Sequence, residues 1–217
     1  MATWVELDID PATEDTDGFA NDVTAASGAA FTLAATTSGD SLAHKVVITP
    51  SGSITGDFVI TGTDSDGNTQ SETLATNTTN AVTSAKFYLT LTSITAPSGL
   101  GSETVDIGWA DEVSSKTIVL DTYAVNACSA QVKVTGTIGF DIEDTLQAPF
   151  LRPDAGAFTV ANQADLAWLN DANFTAKTAS LANTLAVPGI RAARVVVNSY
   201  SAGAELQVWF VQSGQLV

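Results

Sequence analysis

Short runs of alternating β-branched and polar residues, separated by clusters of glycine, serine, asparagine and aspartate, constrain this chain more than any other feature. Val, Ile and Thr suit a pleated surface, and a period of two indicates strands with one buried face. Clear examples are residues 45–49, 54–62 and 69–76, and Asp66-Gly67 predicts a tight turn between the last two. The pattern favours an all-β chain.

Similar runs continue to the end of the sequence. Residues 82–95 form one long β-pattern, and residues 161–170 are the one stretch that favours a short helix. The last two runs, 190–199 and 205–212, flank a small-residue turn and predict a terminal hairpin.

At 217 residues, the chain has room for one large β-domain or two small ones. We expect one or two antiparallel β-sandwich domains, immunoglobulin-like or jelly-roll-like. The predicted regions are an N-terminal strand and extended arm (1–44), a β-sandwich domain (45–112) and a second β-domain that ends in the terminal hairpin (113–217). Whether the two halves are a duplication stays open.

The first 44 residues differ from the remainder, because they hold eight acidic residues, no Lys or Arg, and few large apolar side chains. One strand is predicted over residues 4–9, anchored by Trp4, Leu7 and Ile9. The rest of this region is predicted to be an arm that is ordered by contact with a neighbouring subunit.

The chain is strongly acidic, with 24 Asp and Glu against 8 Lys and Arg and a formal net charge of −16. Nucleic-acid binding requires cations that neutralise phosphates, and an anionic membrane surface repels such a chain. We therefore expect neither partner. The first basic residue is Lys45 and no stretch approaches 18 continuous apolar residues, which predicts no secretory signal and no transmembrane helix.

Few residues are suited to catalysis. A single cysteine, Cys128, excludes an internal disulfide framework, and a single histidine, His44, excludes most triad and metallohydrolase chemistry. Cys128 is expected to pack as a small apolar side chain, and His44 to be structural or on the surface. Asp141, Glu143 and Asp144 are candidates for a glycosidase pair, but nothing selects two of them. We predict a protein that is not an enzyme and has no cofactor.

The predicted turn at residues 64–68, between the strands 54–62 and 69–76, resembles the first half of a calcium-binding loop. Asp64, Asp66 and Asn68 offer alternating oxygen ligands, which calcium prefers. The twelfth position of a complete loop would need Glu and is Ala75. These three residues are therefore weak metal candidates, and a hydrated hairpin turn is the alternative.

Some residues are candidates for contacts between subunits. Large rings in a thin β-domain are suited to interfaces, and in so acidic a chain an arginine can pair with a carboxylate of another subunit. The candidates are Trp4, Phe19, Phe31, Arg152, Arg191 and Arg194. A homo-oligomer, most simply a trimer, is expected.

Three stretches resemble β-hairpins of the structural proteins of tailed-bacteriophage virions. They are Gly56–Asn68 with Ser71–Leu74, Lys86–Thr95, and Ile190–Tyr200. The resemblance implies a head decoration (cement) protein, or a tail or neck subunit, located in the virion after synthesis in the host cytoplasm. It also implies the major capsid protein or another virion protein as partner. A glycan-binding or receptor-binding adhesin module is the alternative, and an enzyme is a third class.

Overall fold

The computed structural model describes residues 3–120, 128–147, 149–151 and 159–212. Strands make up most of this part of the chain, and no α-helix occurs in it. The first nine strands are β1 (Thr3–Ile9), β2 (Asp15–Val23), β3 (Ala43–Pro50), β4 (Ile54–Thr63), β5 (Thr69–Thr78), β6 (Val82–Tyr88), β7 (Thr90–Thr95), β8 (Val105–Ser114) and β9 (Ile118–Val119). The others are β10 (Cys128–Thr135), β11 (Ile138–Thr145), β12 (Phe150–Leu151), β13 (Thr159–Val160), β14 (Leu169–Asn170), β15 (Leu181–Thr184), β16 (Ala192–Tyr200) and β17 (Glu205–Gln212). The prediction of an all-β, antiparallel chain is confirmed.

The chain forms two compact units, one of residues 12–113 and one of residues 1–11 with 114–217. In the first unit, β8, β3 and β6 form one sheet with β2 paired to β8, and β5, β4 and β7 form another. The predicted turn at Asp66-Gly67 is confirmed, because β4 and β5 pair in continuous register from Ile54–Thr78 to Thr63–Thr69. Gly67 has a φ of +84°, which a glycine adopts without strain.

Residues 12–44 pack against the rest of the first unit and do not extend away from it, which corrects the predicted arm. Phe19 and Phe31 are 2% and 5% exposed and belong to its apolar core with Ile48, Phe58 and Ile60. Backbone bonds from Phe31 N to Ile94 O and from Ala34 N to Phe19 O fasten the segment. A few large side chains suffice to order it, because each one fills a core position.

The second unit joins both ends of the sequence. Strand β1 pairs along its length with β17, which also pairs with β10, and β10 pairs with β15. The unit's other main group of strands is β14, β11 and β16, with β9 on β16. The first strand therefore belongs to the same unit as the C-terminal half of the chain. The predicted scheme differs, because it placed residues 1–44 together in one region.

The predicted terminal hairpin is wrong. Strands β16 and β17 follow one another in sequence, but β16 pairs with β11 whereas β17 pairs with β1 and β10. The turn between them connects one sheet to another. Strand β17 buries every second side chain, whereas β16 buries consecutive residues such as Val195, Val196 and Val197. Two successive β-runs joined by a short turn therefore do not show from sequence alone whether they pair with each other.

Two further local predictions are corrected. The β-run 82–95 divides at Leu89 into β6, which pairs with β3, and β7, which pairs with β4. The predicted helix over 161–170 is a single 3-10 turn, Gln163–Asp165, followed by β14. Residues 161–170 have a weak helix propensity, but Leu169 and Asn170 pair with β11 instead. Tertiary pairing commonly overrides a weak local propensity.

Replacing Phe31 with Ala tests the packing of residues 12–44. The substitution removes a buried ring from the core, so we expect the free energy of unfolding to fall by about 3–5 kcal/mol, measured by denaturant titration. Limited proteolysis is expected to accelerate at residues 24–41. The neighbouring Thr32 is exposed, so Thr32→Ala is the matched control and is expected to change neither. A wild-type-like Phe31→Ala variant would contradict the intramolecular packing.

Candidate binding face

The sheet formed by β1, β17 and β10 has one buried and one outward face. Its buried face carries Ile9, Leu206, Val208 and Phe210. Because side chains alternate across a strand, the residues between them point outward. We call the outward set the tryptophan face: Trp4, Glu6 and Asp8 of β1, Trp209 and Val211 of β17, and Gln131 of β10.

Cross-strand register brings these side chains together. Trp4 lies directly opposite Val211, and Trp209 lies opposite Glu6 on one side and Gln131 on the other. Directly opposed residues have Cβ atoms about 4.5–5.5 Å apart. The face is therefore a contiguous aromatic surface with an acidic border along β1.

Trp4 is the most exposed tryptophan of the described residues, at 62%, and Val211 beside it is 42% exposed. Trp209 is half-buried. The sequence grouped Trp4 with Leu7 and Ile9 as anchors, but a period of two places Trp4 on the opposite face from both. Trp4 remains a candidate for contacts, and it is a surface residue.

Two shallow depressions lie on this face and share Gln131 and Val211. One, of about 400 Å³, is lined by these two residues with Trp4 and Trp209. The other, of about 390 Å³, extends over β15, where Asn183 and Thr184 line it. Ring faces, amides and hydroxyls are thus available to a ligand or partner at one place.

The other predicted contact residues are distributed differently. Phe19 and Phe31 are core residues of the first unit, so their rings are not on the surface. Arg194 is engaged within the chain, where its guanidinium pairs with Glu143 at 2.6 Å and stacks on the ring of Trp168 at 4.6 Å. Arg191 is exposed. Arg152 lies outside the described residues.

In the turn that holds the weak metal candidates Asp64, Asp66 and Asn68, the carboxylate of Asp64 is already hydrogen-bonded within the turn. Asp64 is buried, and its Oδ1 accepts hydrogen bonds from the backbone N–H groups of Asp66 (3.0 Å) and Asn68 (2.9 Å). This carboxylate closes the turn between β4 and β5. Across the described ranges, no three His, Cys, Asp or Glu side chains come together as a metal-binding group.

Calcium and chelator are expected to have little effect on folding. Because the carboxylate of Asp64 is held by backbone N–H groups, a divalent ion would gain few ligands in this turn, and stabilisation follows RT ln(1 + [L]/Kd). Melting temperatures in chelator and in millimolar calcium are expected to agree within a few degrees by calorimetry. Loss of the folding transition in chelator would contradict this expectation.

The structure also contains a buried pair of carboxyl groups that the sequence did not indicate. Asp144 on β11 and Asp171 are both buried, and Asp171 lies close enough to affect the ionisation of Asp144. Asp171 accepts backbone N–H bonds from Asn173 (2.8 Å) and Ala186 (2.5 Å). Burial, and then the charge of Asp171, raise the pKa of Asp144 to about 6.

The three carboxylates considered for glycoside hydrolysis all lie on β11, where Asp141 and Glu143 are half-buried and Asp144 is buried. Asp141 accepts hydrogen bonds from Ala176 N and Asn198 Nδ2, and Glu143 pairs with Arg194. Asp141 and Glu143 therefore both have partners within the chain.

The raised pKa of Asp144 predicts a pH dependence of stability. Its folded pKa lies above its ordinary value of 3.8, so the protonated form stabilises the fold fully below about pH 4, and this contribution is lost as the pH rises through about 6. Asp144→Asn is expected to raise the free energy of unfolding at pH 7.5 by about 1–3 kcal/mol and to change it little at pH 4, by denaturant titration.

The control for that experiment is Asp165→Asn, which removes an exposed carboxylate from the same unit. It is expected to leave the pH dependence of stability unchanged. Equal pH profiles for wild type and Asp144→Asn would contradict the account of the buried pair.

His44 and Cys128 are structural, as predicted. His44 is buried, with Nε2 2.6 Å from the Asp40 carboxylate and Nδ1 3.2 Å from Ala110 O. Burial raises the pKa of Asp40, but the hydrogen bond and charge of His44, with bonds from Ala12 N and Ser38, outweigh it and lower that pKa to about 2. Cys128 is a buried free thiol, and burial raises its pKa to about 11.

Sequence reasoning missed Trp209, Val211, Gln131 and Glu6 as members of a common surface. The signal for the two rings was present, because each lies one position out of phase with the buried residues of its strand. The pairing of β1 with β17 and of β17 with β10 has no local signal, since these strands are far apart in sequence. Only the register of the sheet assembles the face.

Comparisons with known proteins leave the chain without an assigned family. No protein-family model and no curated protein matches its sequence. Among solved structures, it is similar to the crystal structure of the major capsid protein P2 from Bacteriophage PM2, with 11% identity over 100% of this chain and 99% of that one and a TM-score of 0.23. A similarity of this size shows neither family nor function. In the described part of the chain, no helix has the length and apolar character needed to cross a membrane.

Proposed function

We propose that this chain is a non-enzymatic structural protein of a tailed-bacteriophage particle, a head decoration (cement) protein that attaches through the tryptophan face. The observation that carries the proposal is Trp4, a residue that is 62% exposed on a sheet face beside Trp209 and Val211. The major capsid protein, or another virion protein, is the proposed partner.

An exposed tryptophan cluster is the feature expected of a protein-binding surface. Single exposed apolar residues are common on any protein, but contiguous apolar groups rimmed by polar ones mark interaction sites. Tryptophan is enriched at interfaces and often carries much of the binding energy. On this face the apolar residues are bordered by Glu6, Asp8 and Gln131, which matches an apolar centre with a polar rim.

The phage assignment is supported by the three stretches that resemble hairpins of virion proteins, of which Gly56–Leu74 forms the β4–β5 hairpin in continuous register. A subunit that binds particles must also stay soluble before assembly, and a net charge of −16 favours this. The proposed location is the virion, after synthesis in the host cytoplasm. A tail or neck position is the nearest variant of the same proposal.

A homo-oligomer, most simply a trimer, is part of the proposal. Among the described residues, β1 pairs only with β17 and β15 pairs only with β10, so the four-stranded sheet has two edges. Exposed edges invite pairing with other chains unless they are covered. Symmetric association is an economical way to cover them, because every copy then repeats the same contact.

An adhesin that binds glycans is the second candidate, and the two depressions on the tryptophan face favour it. Aromatic rings with nearby amides, here Trp4, Trp209, Gln131 and Asn183, combine the apolar and polar groups that small-molecule sites use. The depressions are shallow and open onto a sheet surface, which is better suited to a broad protein contact.

Co-sedimentation with particles that lack their decoration protein tests the proposed function. The wild-type protein is expected to bind such particles and to behave as a trimer in light scattering. Trp4→Ala is expected to lower particle affinity about thirtyfold, the effect of losing a central interface ring worth about 2 kcal/mol. Leu169→Ala, which removes a 69%-exposed side chain from β14, is the control and is expected to bind normally. A monomer that ignores particles and binds a glycan array would instead establish the adhesin.

A further inference from the structure

The border of the tryptophan face is negatively charged. Along β1, Glu6 lies between Trp4 and Asp8 on the same side of the strand and directly opposite Trp209. All three residues of β1 are exposed. Among the described residues, neither Glu6 nor Asp8 forms an ion pair. Two carboxylates are therefore presented to solvent next to two indole rings.

A lysine, Lys133, lies on the same side of the sheet but away from this acidic border. Lys133 of β10 is opposite Gln207, and its ammonium group donates to Gln207 Oε1 at 3.0 Å. Gln207 in turn lies opposite Asp8, so it separates the lysine from the carboxylates of β1 in the register of the sheet. The Trp4–Glu6–Trp209 corner keeps its negative character.

Elsewhere in the chain, an arginine binds to a tryptophan ring and a carboxylate at the same time. Arg194 stacks on Trp168 with its guanidinium carbon 4.6 Å from the ring centroid, and it pairs with Glu143 through Nε at 2.7 Å and Nη2 at 2.6 Å. A ring face attracts the cation through its quadrupole, and the carboxylate adds charge-assisted hydrogen bonds. The Trp4–Glu6–Trp209 corner offers the same two groups on an exposed surface.

We propose that the Trp4–Glu6–Trp209 corner binds a cationic segment of a partner protein, with arginine or lysine side chains stacked on the two rings and paired with Glu6 and Asp8. Charge complementarity selects this occupant. It also disfavours a second copy docked face to face, because a two-fold contact would bring the carboxylates of both copies together. The inference rests on the proposed function only in placing that partner in a phage particle.

An oligo-arginine peptide, acetylated and amidated at its ends, is the probe. Fluorescence anisotropy of the labelled peptide is measured with the full chain at low ionic strength and at about 0.15 M salt, where surface charges more than about 8 Å apart are largely screened. Trp4→Ala and Glu6→Gln are each expected to weaken binding about twofold to fivefold, as expected for an exposed cation–π contact or ion pair. The indole N–H resonances of Trp4 and Trp209 are expected to shift on titration.

Control variants separate a site from general attraction to an acidic protein. Glu14→Gln removes the same charge from an exposed position in the other unit, and it is expected to leave the affinity almost unchanged. Equal losses in Glu6→Gln and Glu14→Gln, or unchanged binding in Trp4→Ala, would overturn the proposal. Displacement of the peptide by a neutral glycan, with glycan binding lost in Trp4→Ala but kept in Glu6→Gln, would overturn it in favour of a saccharide site.

Particle binding in parallel separates this inference from the proposed function. If the peptide results hold but the wild-type protein does not sediment with undecorated particles, the cationic partner stands and the phage role fails. If the wild-type protein, Trp4→Ala and Glu6→Gln all sediment equally well with particles, the particle role stands, but attachment through the tryptophan face and the cationic docking site are both wrong. If Trp4→Ala sediments poorly and Glu6→Gln sediments like the wild type, attachment through the face stands and only the cationic docking site is wrong.

Discussion

Because side chains alternate strictly across a β-strand, burying one set of residues in the β1–β17–β10 sheet determines which residues face outward. Ile9, Val208 and Phe210 lie on the buried side. A shift of one residue in the register of β1 would bury Glu6 and Asp8 and expose Ile9, at a cost of several kcal/mol for each buried, unpaired charge. The exposure of Trp4 therefore follows from the burial of Ile9 on the other side of β1. The register of the sheet determines which residues form the tryptophan face.

The same sheet explains why the face is assembled from distant parts of the sequence. Strand β17 lies between β1 and β10, so Trp4, Trp209 and Gln131 meet only when the two ends of the chain come together. The connections from β10 to β11 and from β16 to β17 lead to strands that pair elsewhere. Non-local pairing of this kind makes the surface sensitive to any loss of the folded second unit.

Local patterns in the sequence predicted the β class, the Asp66-Gly67 turn and the structural roles of His44 and Cys128. They did not predict which strands pair, because two successive β-runs with a short turn between them, such as β16 and β17, can form a hairpin or belong to different sheets. Phe19 and Phe31 were assigned to an interface because residues 12–44 contain few large apolar side chains, yet those few reach the core. The Asp144–Asp171 pair depends on tertiary contact between β11 and a later loop, for which the sequence has no signal.

The tryptophan face is the proposed surface by which this protein attaches to a particle. Electron cryomicroscopy of particles with the protein bound tests it most directly, since the map shows what covers each face of the β1–β17–β10 sheet. The account predicts density of a virion protein over Trp4 and Trp209, with basic side chains next to Glu6 and Asp8. A map in which the protein is bound and this face is open to solvent would contradict it.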